Sequence, residues 1–130
     1  MTKIRFEKRN GEEVVGTYTH EIGESTVAQG LPISEAFELW DGCGMYIDSD
    51  IVFGIGTFKC DFKLGNKSYR FSWVNTEGNG YFAMLDEFDE NGAKNSYHHD
   101  RNHKGDLLEA RRWKNLDQKG NDEMEVIYTV

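Results

Sequence analysis

Short turn motifs, spread evenly along the chain, separate stretches in which apolar and polar residues alternate. Asn-Gly pairs occur at Asn10-Gly11, Asn79-Gly80 and Asn91-Gly92, and the related pair Gly65-Asn66 lies between them. Alternation with a period of two is typical of half-buried strands, and such pairs favour two-residue hairpin loops. The pattern therefore predicts an all-β fold, an antiparallel β-barrel or sandwich-like domain built from consecutive hairpins, with at most one or two short helices.

The hairpin around Gly65-Asn66 has the most specific pattern. A two-residue loop at this position places Asp61 opposite Arg70 and Lys59 opposite Ser72 on one face. The other face is apolar, with the pairs Phe58–Trp73, Cys60–Phe71 and Phe62–Tyr69. A single register thus produces a charge-matched solvent face and an apolar core face, which predicts that this register is the native one.

Two further hairpins follow from the other Asn-Gly pairs, with less specific patterns. We expect strands on both sides of Asn10-Gly11 and of Asn91-Gly92, with each pair as the loop. The facing pairs are then Phe6–Val15 and Lys8–Glu13 in the first hairpin, and Leu85–His98 and Asp89–Lys94 in the second.

The alternation changes phase between Gly54 and Gly56. Ile51 and Phe53 belong to one phase, whereas Phe58 and every second residue after it belong to the other. Such a change is typical of a β-bulge or of a corner where a long strand bends, and closed barrels use long bent strands. We expect a single domain over residues 1–130, closed or nearly closed as a barrel rather than a sandwich.

Two regions leave the choice between helix and strand open. Residues 106–109 have the form of a capping box that opens a helix, but residues 106–116 also suit a strand that returns as residues 124–130. We favour two strands because apolar residues occupy every second position of the last segment, Met124, Val126, Tyr128 and Val130. Within the other region, residues 25–40, Ser34 is a candidate N-cap of a short helix.

Acidic residues are concentrated in two stretches that contain no lysine or arginine. The net charge is −8, residues 21–56 contain seven acids, and residues 77–91 contain five more. A negative field of this kind repels phosphate backbones and attracts basic protein surfaces. Direct binding of nucleic acid is therefore disfavoured, although an acidic surface kept for solubility would have the same composition.

The leading functional hypothesis is a non-enzymatic binding protein whose acidic surface neutralises a basic protein. Immunity proteins and inhibitors directed against nuclease toxins are of this kind. No nucleophile elbow, phosphate-binding loop or cysteine motif in the sequence points to catalysis. The candidate partner-binding residues are the acids of the two stretches and one tryptophan among them: Glu35, Glu38, Trp40, Asp41, Asp48, Asp50, Asp86, Glu87, Asp89 and Glu90.

An alternative is a small-molecule-binding barrel of calycin type, a fold-level analogy that depends on strand count and chain length. In such a barrel the aromatic row of the best hairpin would line the cavity. The row consists of Phe58, Phe62, Tyr69, Phe71 and Trp73. Rows of this kind are more often part of a packed core.

A second alternative is a metal-dependent enzyme that uses a cluster of histidines. His98, His99 and His103 lie close together, and imidazole is a good ligand for zinc. His99 and His103 have the spacing of one helix face, but no glutamate lies between them as in zinc-protease helices. We therefore expect no metal and no cofactor.

The sequence also bears on the compartment. It contains no apolar run long enough to span a membrane, and its first residues lack the pattern of a secretory signal. Cys43 and Cys60 are too few for a disulfide framework. A reducing cytoplasm is therefore expected, while the identity of the partner and the oligomeric state stay open.

Overall fold

The computed structural model describes residues 2–22, 32–38, 43–52, 56–75, 80–114 and 123–130. These residues form ten β-strands and no helix. The strands are β1 (Thr2–Asn10), β2 (Glu13–Ile22), β3 (Pro32–Glu38), β4 (Cys43–Val52), β5 (Gly56–Leu64), β6 (Lys67–Asn75), β7 (Tyr81–Asp89), β8 (Gly92–Arg101), β9 (Leu107–Lys114) and β10 (Glu123–Thr129). The prediction of an all-β fold of antiparallel hairpins is confirmed.

Residue contacts divide the chain into two compact units, residues 1–54 and 55–130. The first unit holds a four-stranded antiparallel sheet in the order β2-β1-β4-β3. The second holds a six-stranded sheet in the order β10-β9-β8-β7-β6-β5, so that each strand pairs with its neighbours in sequence. That the whole chain forms one domain stays a prediction.

The first sheet has one buried apolar face, because successive residues of a strand point to opposite sides. On β1 the even-numbered Ile4 and Phe6 are buried, whereas Lys3 and Arg5 are exposed. The buried hydrophobic residues of this face are Ile4, Phe6, Phe37, Met45 and Ile47. The face thus draws on β1, β3 and β4.

The second sheet buries a larger apolar face that runs from β5 to β9. Its centre is a row across three strands, in which Phe71 of β6 lies opposite Leu85 of β7, and Leu85 opposite Tyr97 of β8. The buried hydrophobic residues of this unit are Cys60, Phe62, Leu64, Tyr69, Phe71, Trp73, Tyr81, Ala83, Leu85, Tyr97 and Ala110. Burial of each large side chain stabilises the fold by about 1.5–3 kcal/mol.

The register predicted for the β5–β6 hairpin is confirmed. Leu64 pairs with Lys67 around the Gly65-Asn66 turn, and Asp61 pairs with Arg70. The apolar pairs are those predicted: Phe58–Trp73, Cys60–Phe71 and Phe62–Tyr69. One expectation fails in part, because Ser72 on the other face is only 2% exposed. Its partners across the sheet, Lys59 and Met84, are much longer side chains.

The registers predicted for the β1–β2 and β7–β8 hairpins are wrong. The loops are residues 11–12 and 90–91, whereas the sequence predicted loops at residues 10–11 and 91–92. Each loop is therefore shifted by one position. A further register shift follows in each hairpin, typical of a β-bulge. As a result the observed pairs are Phe6–Tyr18 and Lys8–Gly16 in the first hairpin, and Leu85–Tyr97 and Asp89–Gly92 in the second.

The expectation of a closed barrel is also wrong. Among the described pairings, β2 and β3 are the outer strands of the first sheet, and β5 and β10 are those of the second. The phase change near Gly54 and Gly56 separates β4 of one sheet from β5 of the other, instead of bending one strand within a barrel. Residues 53–55 lie outside the described part of the chain.

The C-terminal segments are strands, as favoured. β9 and β10 pair antiparallel, so the capping-box helix after residue 106 is absent from the described part of this segment. Ser34 lies inside β3 and caps no helix there, while the rest of residues 25–40 outside β3 is not described.

No helix among the described residues has the length and hydropathy of a membrane span.

Candidate functional site

Two of the predicted partner-binding acids, Glu35 and Glu38, lie on opposite faces of β3. Glu35 is fully buried on the same face as Phe37, whereas Glu38 is exposed on the opposite face. The alternation of a strand requires this result, since the two glutamates are an odd number of residues apart. Trp40 and Asp41 lie outside the described residues, and nothing is described of the side chain of Asp50.

The basic residues of the first unit all lie on β1, an inner strand of its sheet. Arg5 lies 3.6 Å from Asp48 on β4 and 3.2 Å from Glu7, and Arg9 lies 2.7 Å from Glu7. Arg9 also covers the ring of Tyr46, 4.7 Å from its centroid. The centre of the outer face is therefore a charge-balanced network.

Exposed acids remain at the margins of this sheet. Glu12 and Glu13 lie at the β1–β2 turn, and Glu38 lies on the outer strand β3. All three are exposed, and none forms an ion pair with a residue in the described ranges. Strand order thus places the bases at the centre and these three carboxylates at the periphery.

The two units differ in net charge. Residues 1–54 contain ten acidic and four basic side chains, a net charge of −6. Residues 55–130 contain thirteen acidic and eleven basic side chains, a net charge of −2. Most of the negative charge of the chain therefore belongs to the smaller unit.

The acidic stretch on β7 is divided between the two faces of its sheet. The Ser96 hydroxyl donates a 2.6 Å hydrogen bond to Asp86, which also lies opposite Arg70 on β6. Glu87, on the other face, is buried; its carboxylate accepts a 2.9 Å hydrogen bond from Asn95 and lies 3.6 Å from the Lys67 ammonium. Both carboxylates have structural partners within the sheet.

The end of that stretch lies in a solvent-exposed turn. Asp89 and Glu90 are exposed at the β7–β8 turn. The Asp89 carboxylate accepts a 2.7 Å hydrogen bond from the backbone N–H of Asn91, which stabilises the turn. Acids that are close together in the sequence of β7 therefore do not form one continuous acidic face.

Asp61 and Arg70 form a bidentate ion pair on the solvent face of the β5–β6 hairpin. The guanidinium donates hydrogen bonds of 2.7 and 3.2 Å to the two carboxylate oxygens. The hydrogen bond from Arg70 is the main reason that the pKa of Asp61 is lowered. With Phe88, 5.8 Å from the guanidinium carbon, the pair borders an open cleft of about 370 Å³.

The aromatic row proposed to line a ligand cavity forms part of the buried face of the second sheet. Phe62 and Tyr69 stack with ring centroids 5.4 Å apart, and Trp73 lies 3.9 Å from Tyr81. Phe58, at the outer strand, is half-buried, and the other four members of the row are buried. The rings pack against one another as core residues do.

The three clustered histidines do not meet. His98 and His99 are consecutive in β8 and point to opposite faces, and His103 is exposed in the turn before β9. Among the described residues, no three His, Cys, Asp or Glu side chains are grouped so that they could hold a metal ion. The spacing of His99 and His103 suited one face of a helix, but His99 lies in a strand and His103 in the turn that follows it.

Cys60 is buried beneath the second sheet. Burial, with a smaller effect of the neighbouring Asp61 carboxylate, raises the pKa of its thiol to about 11. A thiol with so high a pKa is protonated at neutral pH and is a poor nucleophile. Cys43 begins β4, and its side chain is not described.

Sequence reasoning missed Glu12 and Glu13, because they lie outside the two base-free stretches. The signal was present in their position beside a turn motif, where side chains are exposed. Comparison with protein-family models, with curated proteins and with solved structures finds no match to this chain. The functional conclusion therefore depends on the residues of the chain itself.

Proposed function

We propose that this is a non-enzymatic binding protein whose acidic N-terminal unit binds and neutralises a basic protein partner, such as a toxin or nuclease. The observation that carries the proposal is the net charge of −6 on residues 1–54, with the bases confined to an inner strand. Glu12, Glu13 and Glu38 are the exposed acids of this unit that have no cation among the described residues.

The arrangement suits electrostatic steering. Acids at the rim of an interface act mainly on the rate of association, because they attract a basic surface before contact is made. The inner network contains two cations, Arg5 and Arg9, and two anions, Glu7 and Asp48, so it is balanced and contributes little to the long-range field. The marginal glutamates are therefore the residues expected to set the association rate.

The experiment has two stages. Affinity capture from the source cell at low salt, followed by mass spectrometry, identifies the partner, and stopped-flow mixing then measures its association rate. Glu12→Lys combined with Glu38→Lys is expected to lower that rate by about tenfold or more at low salt. The loss should shrink as salt rises, since the Debye length falls from about 10 Å at 0.1 M to about 3 Å at 1 M.

The matched control reverses two exposed acids of the other unit, Glu90→Lys with Asp106→Lys. Both double variants change the net charge of the chain by the same amount, so a difference between them reports position and not total charge. A neutral partner, or an association rate that responds equally to both variants, would contradict the proposal.

A further inference from the structure

The C-terminal strand β10 is an outer strand of the second sheet with unusually exposed apolar side chains. In the described pairings it contacts only β9. Met124, Val126, Ile127 and Tyr128 are each 39 to 53% exposed, and Val130 just after the strand is 83% exposed. An outer strand also presents unpaired backbone N–H and C=O groups, which are a template for a further strand.

These apolar side chains lie on both faces of the sheet. Met124 and Val126 lie opposite Trp113 and Arg111, on the face that carries His98. Tyr128, after a register shift, lies opposite Ala110 on the other face. A partner docked on one face of the sheet would cover only half of this surface, whereas a strand added at the edge would contact both halves.

The other outer strands carry features that discourage such pairing. β5 has charged residues at alternate positions, Lys59, Asp61 and Lys63, and β3 begins with Pro32. β2 contains a register shift between Val14 and Gly16, begins with Glu13 and directly follows Glu12. Charges, proline and bulges are the usual protection of exposed edges. β10 has no lysine, arginine or proline; it carries two glutamates near its start and one register shift between Val126 and Tyr128.

The pattern of β10 is complementary to itself in an antiparallel pair. Its two acids, Glu123 and Glu125, occupy the first half, and its second half is uncharged. A two-fold axis at Val126 places Glu123 opposite Thr129 and Glu125 opposite Ile127, whereas a parallel in-register pair places like charges side by side. Arg112 also binds the Glu125 carboxylate at 2.6 Å within its own chain, which reduces the charge at the edge.

We propose that β10 pairs antiparallel with β10 of a second copy of this chain, so that the two six-stranded sheets become one continuous sheet. The dimer follows the two-fold symmetry of most small homo-oligomers. A seven-residue strand is much smaller than the about 20–30 residues per side of a standard interface, so association should be weak. This inference is independent of the acidic surface on the first unit.

The test is the mass of the protein in solution as a function of concentration. Sedimentation equilibrium from about 10 μM to about 1 mM should show a monomer–dimer equilibrium. Val126→Lys on one face and Tyr128→Lys on the other should each raise the dissociation constant at least about tenfold. Val15→Lys is the matched control, since Val15 is an equally exposed apolar residue on the outer strand β2.

A second measurement uses the unaltered protein and so does not depend on the folding of any variant. The N–H groups of β10 that point away from β9 exchange with solvent in a monomer and are protected in the dimer. Their hydrogen exchange should slow in proportion to the fraction of dimer as concentration rises. A protein that stays monomeric, or a dimer that responds equally to Val15→Lys and Val126→Lys, would overturn the proposal.

Discussion

The imidazole of His98 on β8 packs against the indole of Trp113 on β9, with ring centroids 4.4 Å apart and planes inclined at 52°. Burial under this contact is the main reason that the pKa of His98 is lowered below 6.5. Asp86 and Asp100 oppose the shift, and Arg111 and His99 add to it. The contact therefore favours the neutral imidazole.

His98 should make the protein less stable in mild acid. Because its folded pKa lies below the unfolded value, the unfolded chain binds more protons as the pH falls through about 6.5. The contribution of His98 to the free energy of unfolding is fully present above about pH 6.5 and is lost as the pH falls through its folded pKa. Urea unfolding at pH 8 and pH 5 should show a smaller difference in His98→Gln than in the unaltered protein.

His103→Gln is the control for this prediction, because His103 is exposed in a turn. It removes an imidazole that does not pack against Trp113, and so separates the loss of that contact from the loss of a histidine. Direct titration by nuclear magnetic resonance provides a separate check, and a His98 pKa above 6.5 would show that the flanking aspartates outweigh burial.

Gly80→Ala should destabilise the protein more than Gly92→Ala. Both glycines have positive φ angles, +120° and +113°, so an alanine at either position strains the backbone by about 1–3 kcal/mol. A Cβ on Gly80 would also clash with the carbonyl oxygen of Arg101, whereas the space around Gly92 is open. We expect an additional loss of about 1–3 kcal/mol at Gly80. Urea midpoints that are equal for both variants would exclude the clash.

Phe71→Ala should be among the most damaging substitutions in the second sheet. Phe71 is fully buried between Cys60 and Leu85, so its loss leaves a cavity that costs about 3–5 kcal/mol. Ser72→Ala, at the adjacent position on the other face, should cost less than about 1 kcal/mol. Denaturant unfolding compares the two, and similar small effects would mean that Phe71 lies outside the core.

The β5–β6 hairpin shows how far local sequence determines structure. Its loop, its apolar face and the Asp61–Arg70 pair all agree on one register, and the structure has that register. The sequence predicted that the β1–β2 and β7–β8 hairpins exist, but it predicted the wrong register for each. There, the position of glycine within the loop and a nearby register shift each change every later pair.

Tertiary structure determined which acids are paired, which are buried and which are exposed. Sequence order shows that Asp48 lies in a stretch without bases. Arg5 reaches it because β4 pairs directly with β1, although β2 and β3 lie between them in the sequence. Similarly, Glu35 is buried and Glu38 exposed because β3 is a strand, a choice that the sequence left open against a helix.

The sequence by itself therefore determined the fold class, the C-terminal strands and one hairpin in full, because period-two alternation and two-residue loops are local properties. Only the tertiary structure decided which charges neutralise one another, that the sheets stay open and that β10 is an outer strand. These depend on pairing between distant strands, where the free energy comes from burial and charge across the whole sheet and not from neighbouring residues.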